Sequence, residues 1–162
     1  GNVLGSAGSV LPLFKKLIKE NNKFLPITHK DMTRFWITLS QAVKFVNSSM
    51  LQSRGGEIFV PKMPSLHIVD LAKFIAPKMK CKFIGIKPGE KLFEQLNNVI
   101  DSRSMLEMED RFIIFPEKNL QFYSFKKKFN ASEVEINFEY TSDNNKDWLN
   151  KKKFYDLLNE AY

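Results

Sequence analysis

Met32-Thr33-Arg34-Phe35-Trp36-Ile37-Thr38 sets one arginine among apolar and β-branched residues, just ahead of a helix start. Threonine, phenylalanine, tryptophan and isoleucine suit a pleated, half-buried surface, so residues 34–37 are expected to be extended. Thr38, with Gln41 three positions on, has the spacing of a capping box. The helix that follows is predicted to bury Leu39, Ala42, Val43, Val46 and Met50, which recur at helical spacing. Arg34 at the edge of such an apolar layer is costly unless its planar fork is met by an anion or by hydrogen-bond acceptors. A negative partner is therefore expected, either one of the chain's own 18 acidic residues or an anion from outside.

Upstream, the segment from Gly1 to Ser9 holds three glycines and two serines, a loop whose backbone can approach a ligand closely. It lacks G-x-G-x-x-G spacing, so it is a weak dinucleotide fingerprint. Ser9 is placed to cap a helix running to about Glu20, with Leu11, Phe14, Leu17 and Ile18 as one apolar stripe. Residues 24–28 read as extended. Downstream, Gly55-Gly56 turns the chain into a strand over 57–60, 65–68 is extended, and Asp70–Ala76 is helical with Leu71, Ala72 and Ile75 on one face. A strand over 82–86 leads into the Pro-Gly turn Lys87-Pro88-Gly89-Glu90-Lys91, where a base and a carboxylate three residues apart can face one ligand. A short helix over 91–96, a strand over 111–115, extended segments and loops over 117–147, and a last helix capped by Asn150 complete the reading. Short strands alternating with helices imply a small α/β unit.

At 162 residues the chain has the length of one ordinary domain, with 43% hydrophobic and 27% charged residues. No apolar run is long enough to span a membrane, and no basic segment followed by an apolar one marks a signal peptide. Gly1 in place of an initiating methionine reads as a cut through a longer protein. The lone Cys81 fits a reducing cytoplasm, and His29 and His67, far apart, offer no metal site. The net charge of +7 raises the alternative of a basic module for nucleic acid or another anionic partner. Only Arg34, Arg54, Arg103 and Arg111 are arginines, and a lysine-rich solvated face is the expectation, so no nucleic-acid partner is assigned. Tyr123 and Lys127 satisfy Tyr-x-x-x-Lys, but the surrounding residues make a poor amphipathic helix and the match is taken as coincidental.

Five motifs occur in one order: Gly1-Asn2-Val3-Leu4-Gly5-Ser6-x-Gly8-Ser9-Val10, Met32-Thr33-Arg34-Phe35, Gly55-Gly56-Glu57-Ile58-Phe59-Val60, Gly85-Ile86-Lys87-Pro88-Gly89-Glu90-Lys91 and Asp143-Asn144-Asn145-x-x-Trp148-Leu149. Together they resemble the C-terminal half of the inverting UDP-N-acetylglucosamine 4,6-dehydratases, bacterial polysaccharide-biosynthesis enzymes of the extended short-chain dehydrogenase/reductase superfamily. The resemblance implies an α/β fold, the substrate-binding portion of an NAD(P)-binding Rossmann-like protein with most of the Rossmann domain absent. Residues 1–9 would end the nucleotide-binding domain as a cofactor loop, and 10–162 would form the substrate domain.

The activity it implies is a lyase that uses bound NADP. Hydride leaves the sugar C4, water is eliminated across C5 and C6, and the hydride returns to C6 with inversion at C5. The family's catalytic residues lie upstream of Gly1, so no catalytic residue is assigned and these residues alone are expected to be inactive. Val3, Leu4, Gly5, Ser6 and Ala7 match the loop beside the nicotinamide. Asn2, Val10, Thr28, Arg34, Lys87 and Glu90 match substrate positions, with Arg34 and Lys87 suited to the diphosphate and Glu90 to ribose hydroxyls. Lysine at 87 replaces the commoner arginine, keeping charge but losing bidentate geometry. The implied partner is UDP-N-acetylglucosamine or a related UDP-sugar in the cytoplasm, with a homo-oligomeric full-length protein. A UDP-sugar 4-epimerase or a dehydratase/5-epimerase shares the same pocket and is the alternative within the enzyme class.

Overall fold

The structure, a computed structural model, describes residues 2–161; Gly1, read above as opening the glycine-rich loop, and Tyr162 lie outside the described residues. In chain order the elements are β1 (Asn2–Val3), α1 (Val10–Lys19), β2 (Phe24–Ile27), β3 (Thr33–Ile37), α2 (Leu39–Gln52), β4 (Ile58–Pro61), β5 (Ser65–His67) and α3 (Ile68–Ile75). They continue with β6 (Lys80–Phe83), β7 (Met105–Glu107), β8 (Arg111–Ile114), α4 (Leu120–Lys128), β9 (Ser132–Glu133) and α5 (Lys151–Ala161). Two compact units result. One comprises the residues up to Ala42, Met63–Glu94 and the chain from Ser142; the other comprises Val43–Lys62 and Gln95–Thr141.

The first unit is the α/β one. The opening stretch forms β3, the middle strand of a sheet in the order β1-β3-β5, parallel to β1 and antiparallel to β5. Thr33, Phe35, Trp36 and Ile37 are all buried, as expected of a strand covered on both faces. A second, two-stranded sheet pairs β2 with β6 in parallel, Phe24 opposite Lys80 through Ile27 opposite Phe83. Leu11 and Phe14 of α1, Leu25 and Ile27 of β2, Trp36, Leu71 of α3 and Phe154 of α5 share one apolar cluster.

The capping box is present as read: the Gln41 N–H donates to Thr38 Oγ1 at 3.0 Å, and the Thr38 N–H donates to Gln41 Oε1 at 3.2 Å. Thr38→Ala should cost about 1 kcal/mol in urea denaturation, since it removes one of these two bonds. Asn150 caps α5 through Lys153, whose N–H donates to Oδ1 at 2.9 Å. Ser9 occupies the N-cap position of α1 in extended backbone, but its hydroxyl makes no capping bond.

In the second unit β4-β8-β7-β9 form an antiparallel sheet. β8 alternates strictly: Ile113 and, just beyond it, Phe115 pack with Phe122 and Phe125 of α4, while Phe112 meets the Phe138 and Tyr140 rings at 5.2 and 5.0 Å. Helix α4 corrects the expectation of loops over 117–147. Asn119 caps it through the Gln121 and Phe122 N–H groups, and two buried phenylalanines suffice to anchor it despite its lysines. Tyr123 and Lys127 therefore do lie on a helix, with Tyr123 exposed.

Helix α2 corrects a second expectation. Leu39, Val43, Val46 and Met50 face outward, all at least half exposed, and Ala42 is half-buried. The inward face is the neighbouring one, carrying Phe45, Ser48 and Ser49. The reason is Arg111, 3% exposed on β8, whose Nη1 donates to Ser49 Oγ at 3.0 Å and Nη2 to Ser48 Oγ at 2.8 Å, with the guanidinium 4.8 Å from the Phe45 ring centre. A buried guanidinium needs acceptors and a π-face, and that side of the helix supplies both.

Candidate functional site

The residues singled out for ligand contact all lie in the first unit, and hydrogen bonds join several of them. Lys87-Pro88-Gly89-Glu90 closes as a tight turn: the Glu90 N–H donates to the Lys87 carbonyl at 3.0 Å, and Gly89 has φ +79°. Proline followed by a residue at positive φ is what a type II turn demands, and glycine meets that demand without strain. The Glu90 carboxylate folds back over the turn, accepting the Lys87 N–H at 3.2 Å on one oxygen and the Thr28 hydroxyl at 3.2 Å on the other. Thr28 follows β2 directly, so parallel pairing of β2 with β6 brings the ends of both strands to this turn. The Lys87 side chain is exposed.

Arg34 stands beside the same loop. Its Nη1 donates to the Thr33 carbonyl at 2.7 Å and the Leu92 carbonyl at 3.2 Å, its Nη2 to the Lys91 carbonyl at 2.7 Å, and its Nε lies 3.3 Å from the Glu94 carboxylate. The guanidinium has five N–H groups. Among the described residues these contacts leave over one N–H, on Nη2. The short helix expected over 91–96 is absent, because the Lys91 and Leu92 carbonyls that would begin its ladder are taken by Arg34 and by the Thr33 N–H, which donates to Leu92 at 3.0 Å.

Asn2 and Val3 sit on β1, opposite Trp36 and Ile37 of β3. The Asn2 Nδ2 is buried without a hydrogen-bond partner among the described residues, an amide donor left over. From Leu4 the chain loops through Gly5 and Gly8, both at positive φ, with Ser6 and Ala7 exposed. Val10 is half-buried and packs against the apolar cluster at the head of α1. The loop at 3–7 is thus tied to the Arg34 region through β1 and β3, while Thr28, Lys87 and Glu90 form a cluster of their own.

Sequence reasoning missed Glu94, Thr33 and Ser142. The buried Thr33 and Ser142 hydroxyls are 2.8 Å apart, the Glu94 N–H donates to the Ser142 hydroxyl, and the Ser142 N–H donates to the Glu94 carbonyl, each at 2.9 Å. Ser142 adjoins the Asp143-Asn144-Asn145 motif, a signal that was available. Asn145 itself is structural, its Nδ2 donating to the Met63 carbonyl and the Ser65 hydroxyl. His67 is stacked on Trp148, ring centres 4.9 Å apart. Burial pushes the Cys81 thiol above its ordinary range, with Lys73 opposing, which makes it a poor nucleophile. Lys23, Lys78, Lys80 and Lys82 line a separate open pocket around Phe24 and Cys81, where β2 and β6 begin. Among the described residues no helix is long and apolar enough to cross a membrane.

The profile of a family described as "Polysaccharide biosynthesis protein" matches residues 1–116. The chain belongs to that family. Over 99% of its length it is 45% identical to a UDP-N-acetylglucosamine 4,6-dehydratase (inverting) of Campylobacter jejuni, covering 50% of that protein. It is 37% identical over 98% of its length to a UDP-glucose 4-epimerase of Rickettsia bellii, covering 47% of it. A solved structure, "X-ray structure of Pen from Bacillus thuringiensis", superposes with a TM-score of 0.78 at 34% identity, covering 99% of this chain and 47% of that one. The α/β fold and the resemblance read from the five motifs are thereby borne out. This polysaccharide biosynthesis family member spans about half the length of the curated relatives it matches.

Proposed function

We propose that the chain forms the substrate-holding half of an inverting UDP-N-acetylglucosamine 4,6-dehydratase, a lyase of surface-sugar biosynthesis. The observation that carries this reading is the turn at 87–90, which fixes the Glu90 carboxylate through the Thr28 hydroxyl and the Lys87 N–H and leaves the Lys87 side chain exposed three residues away in sequence. That pair suits a nucleoside diphosphate. Lys87 meets phosphate, and Glu90, fixed by the Thr28 hydroxyl and the Lys87 N–H, accepts from ribose hydroxyls. Asn2 offers to the sugar an amide that finds no partner among the described residues, Val10 lines the pocket, and Arg34 stands behind the phosphate-facing turn.

The cofactor in this reading is NADP. The loop at Val3, Leu4, Gly5, Ser6 and Ala7 is assigned to its nicotinamide end: the exposed side chains there, Ser6 and Ala7, are small. The bound nicotinamide would supply hydride acceptance and return. The chain's own residues bind and orient the nucleotide-sugar, and no acid or base of the reaction is assigned to them. A 4-epimerase acting on a UDP-sugar is the second reading, supported by the match to the Rickettsia protein over nearly the whole chain.

Titration of the labelled chain with UDP tests the site. UDP should shift the amide resonances of residues 28, 87, 89 and 90, and uridine should bind far more weakly. Lys87→Ala should weaken UDP binding about tenfold, the scale of one charge-assisted hydrogen bond. Lys87→Arg, whose fork can form two parallel bonds, should tighten it by about threefold. Amides at 87–90 that stay unmoved at saturating UDP would sink the assignment.

A further inference from the structure

We infer that Arg34 is a positioning residue of the nucleotide site: it pegs the backbone of the loop after the 87–90 turn onto β3, and so presets Lys87 and Glu90 before any ligand arrives. The inference rests on the reading of that turn as the diphosphate and ribose site. An arginine that waits for a phosphate keeps its fork open. Here four of the five N–H groups are taken, by the Thr33, Lys91 and Leu92 carbonyls and by Glu94, and the Arg34 side chain is only 13% exposed.

The geometry is that of a clamp with two ends. At the far end of the loop, Arg34 holds residues 91 and 92 while the Thr33 N–H takes the Leu92 carbonyl, and Ser142 holds both the N–H and the carbonyl of Glu94. At the near end, Glu90 is tied to Thr28 and to its own turn. The segment between, with a glycine at positive φ, would otherwise sample many conformations, and ordering it would oppose ligand binding. Fixing it in advance removes that cost. The Glu94 carboxylate adds a second argument. It neutralises Arg34 and would repel a diphosphate drawn directly onto the guanidinium.

Two roles for Arg34 therefore predict opposite results. If it is a peg, amide exchange over 87–94 in the ligand-free chain should rise at least about tenfold in Arg34→Ala, with the β4–β8 amides unchanged. UDP affinity should fall about tenfold, and Lys87→Ala should cost little more in that background, because the two losses share one cause. Arg34→Lys, which keeps charge but has no fork, should behave like the alanine variant, and it serves if the latter does not fold. Glu94→Gln should loosen the loop and weaken UDP. Additive losses at 34 and 87, unchanged exchange, or tighter UDP binding in Glu94→Gln would overturn the inference and make Arg34 a direct phosphate ligand. Looser exchange in a chain whose wild type ignores UDP would instead uphold the peg and remove the nucleotide reading.

Discussion

Replacing Arg111 by alanine is expected to destabilise the unit built on β8 by about 3 kcal/mol, the scale for removing a buried side chain that makes several hydrogen bonds. The guanidinium is bidentate to Asp110, Nε to Oδ1 at 2.9 Å and Nη2 to Oδ2 at 2.7 Å, and its other bonds go to Ser48 and Ser49. Alanine would leave a void and two hydroxyls without their donor beside the Phe45 ring. Asp110 itself is largely exposed and can rehydrate, so its loss of partner adds little.

The same contact sets an acid limb. Hydrogen bonds from Arg111 hold the Asp110 carboxyl below its ordinary range, against partial burial. A carboxyl depressed in the folded state contributes stability above its unfolded value, about pH 4, and that contribution is lost as pH falls through the folded value. Denaturation across pH 6 to 2 should therefore show a decline at the acid end that is flatter in Arg111→Ala. Equal acid limbs in the two proteins, or a loss below about 1 kcal/mol in the variant, would contradict the role given to this arginine.

Trp36→Ala should cost about 3 to 5 kcal/mol, because the side chain is fully buried in the middle strand of the first unit's sheet and little can collapse into the space. Trp36→Phe should cost much less, about 1 kcal/mol. The indole Nε1 is buried without a hydrogen-bond partner among the described residues, so phenylalanine removes an unpaired donor along with the second ring. Urea denaturation of the two variants side by side measures the difference. Equal destabilisation by alanine and phenylalanine would mean that the N–H is satisfied and that its bond, rather than packing, holds the tryptophan.

Where the sequence could be read locally, the structure agrees with it. The Thr38–Gln41 box, the Asn150 cap, the apolar stripe of α1 and the Pro-Gly turn depend on residues within one helical turn or one β-turn of each other. Their geometry follows from spacing alone. The five ordered motifs likewise carried the family, and the profile match at residues 1–116 agrees. Helix α4 was missed because lysines dilute its apolar face, and only Phe115 and the rest of the sheet show that Phe122 and Phe125 are enough to hold it.

The failures at α2 and at residues 91–96 share a different physical cause, a polar group whose partners are distant in sequence. Two faces of α2 have helical spacing, and sequence favoured the apolar one; Arg111, some 60 residues on, selected the face with two serines. Residues 91–96 have a helix-compatible pattern, but Arg34 and Thr33 take the carbonyls that would start it. For Met32-Thr33-Arg34-Phe35-Trp36-Ile37-Thr38, the sequence by itself determined a buried strand, a capped helix after it and an arginine in need of acceptors, because those follow from side-chain shape and charge. Only the tertiary structure decided which acceptors: the guanidinium reaches carbonyls 57 and 58 residues away, and a strand can bring such groups together only once its neighbours are in place.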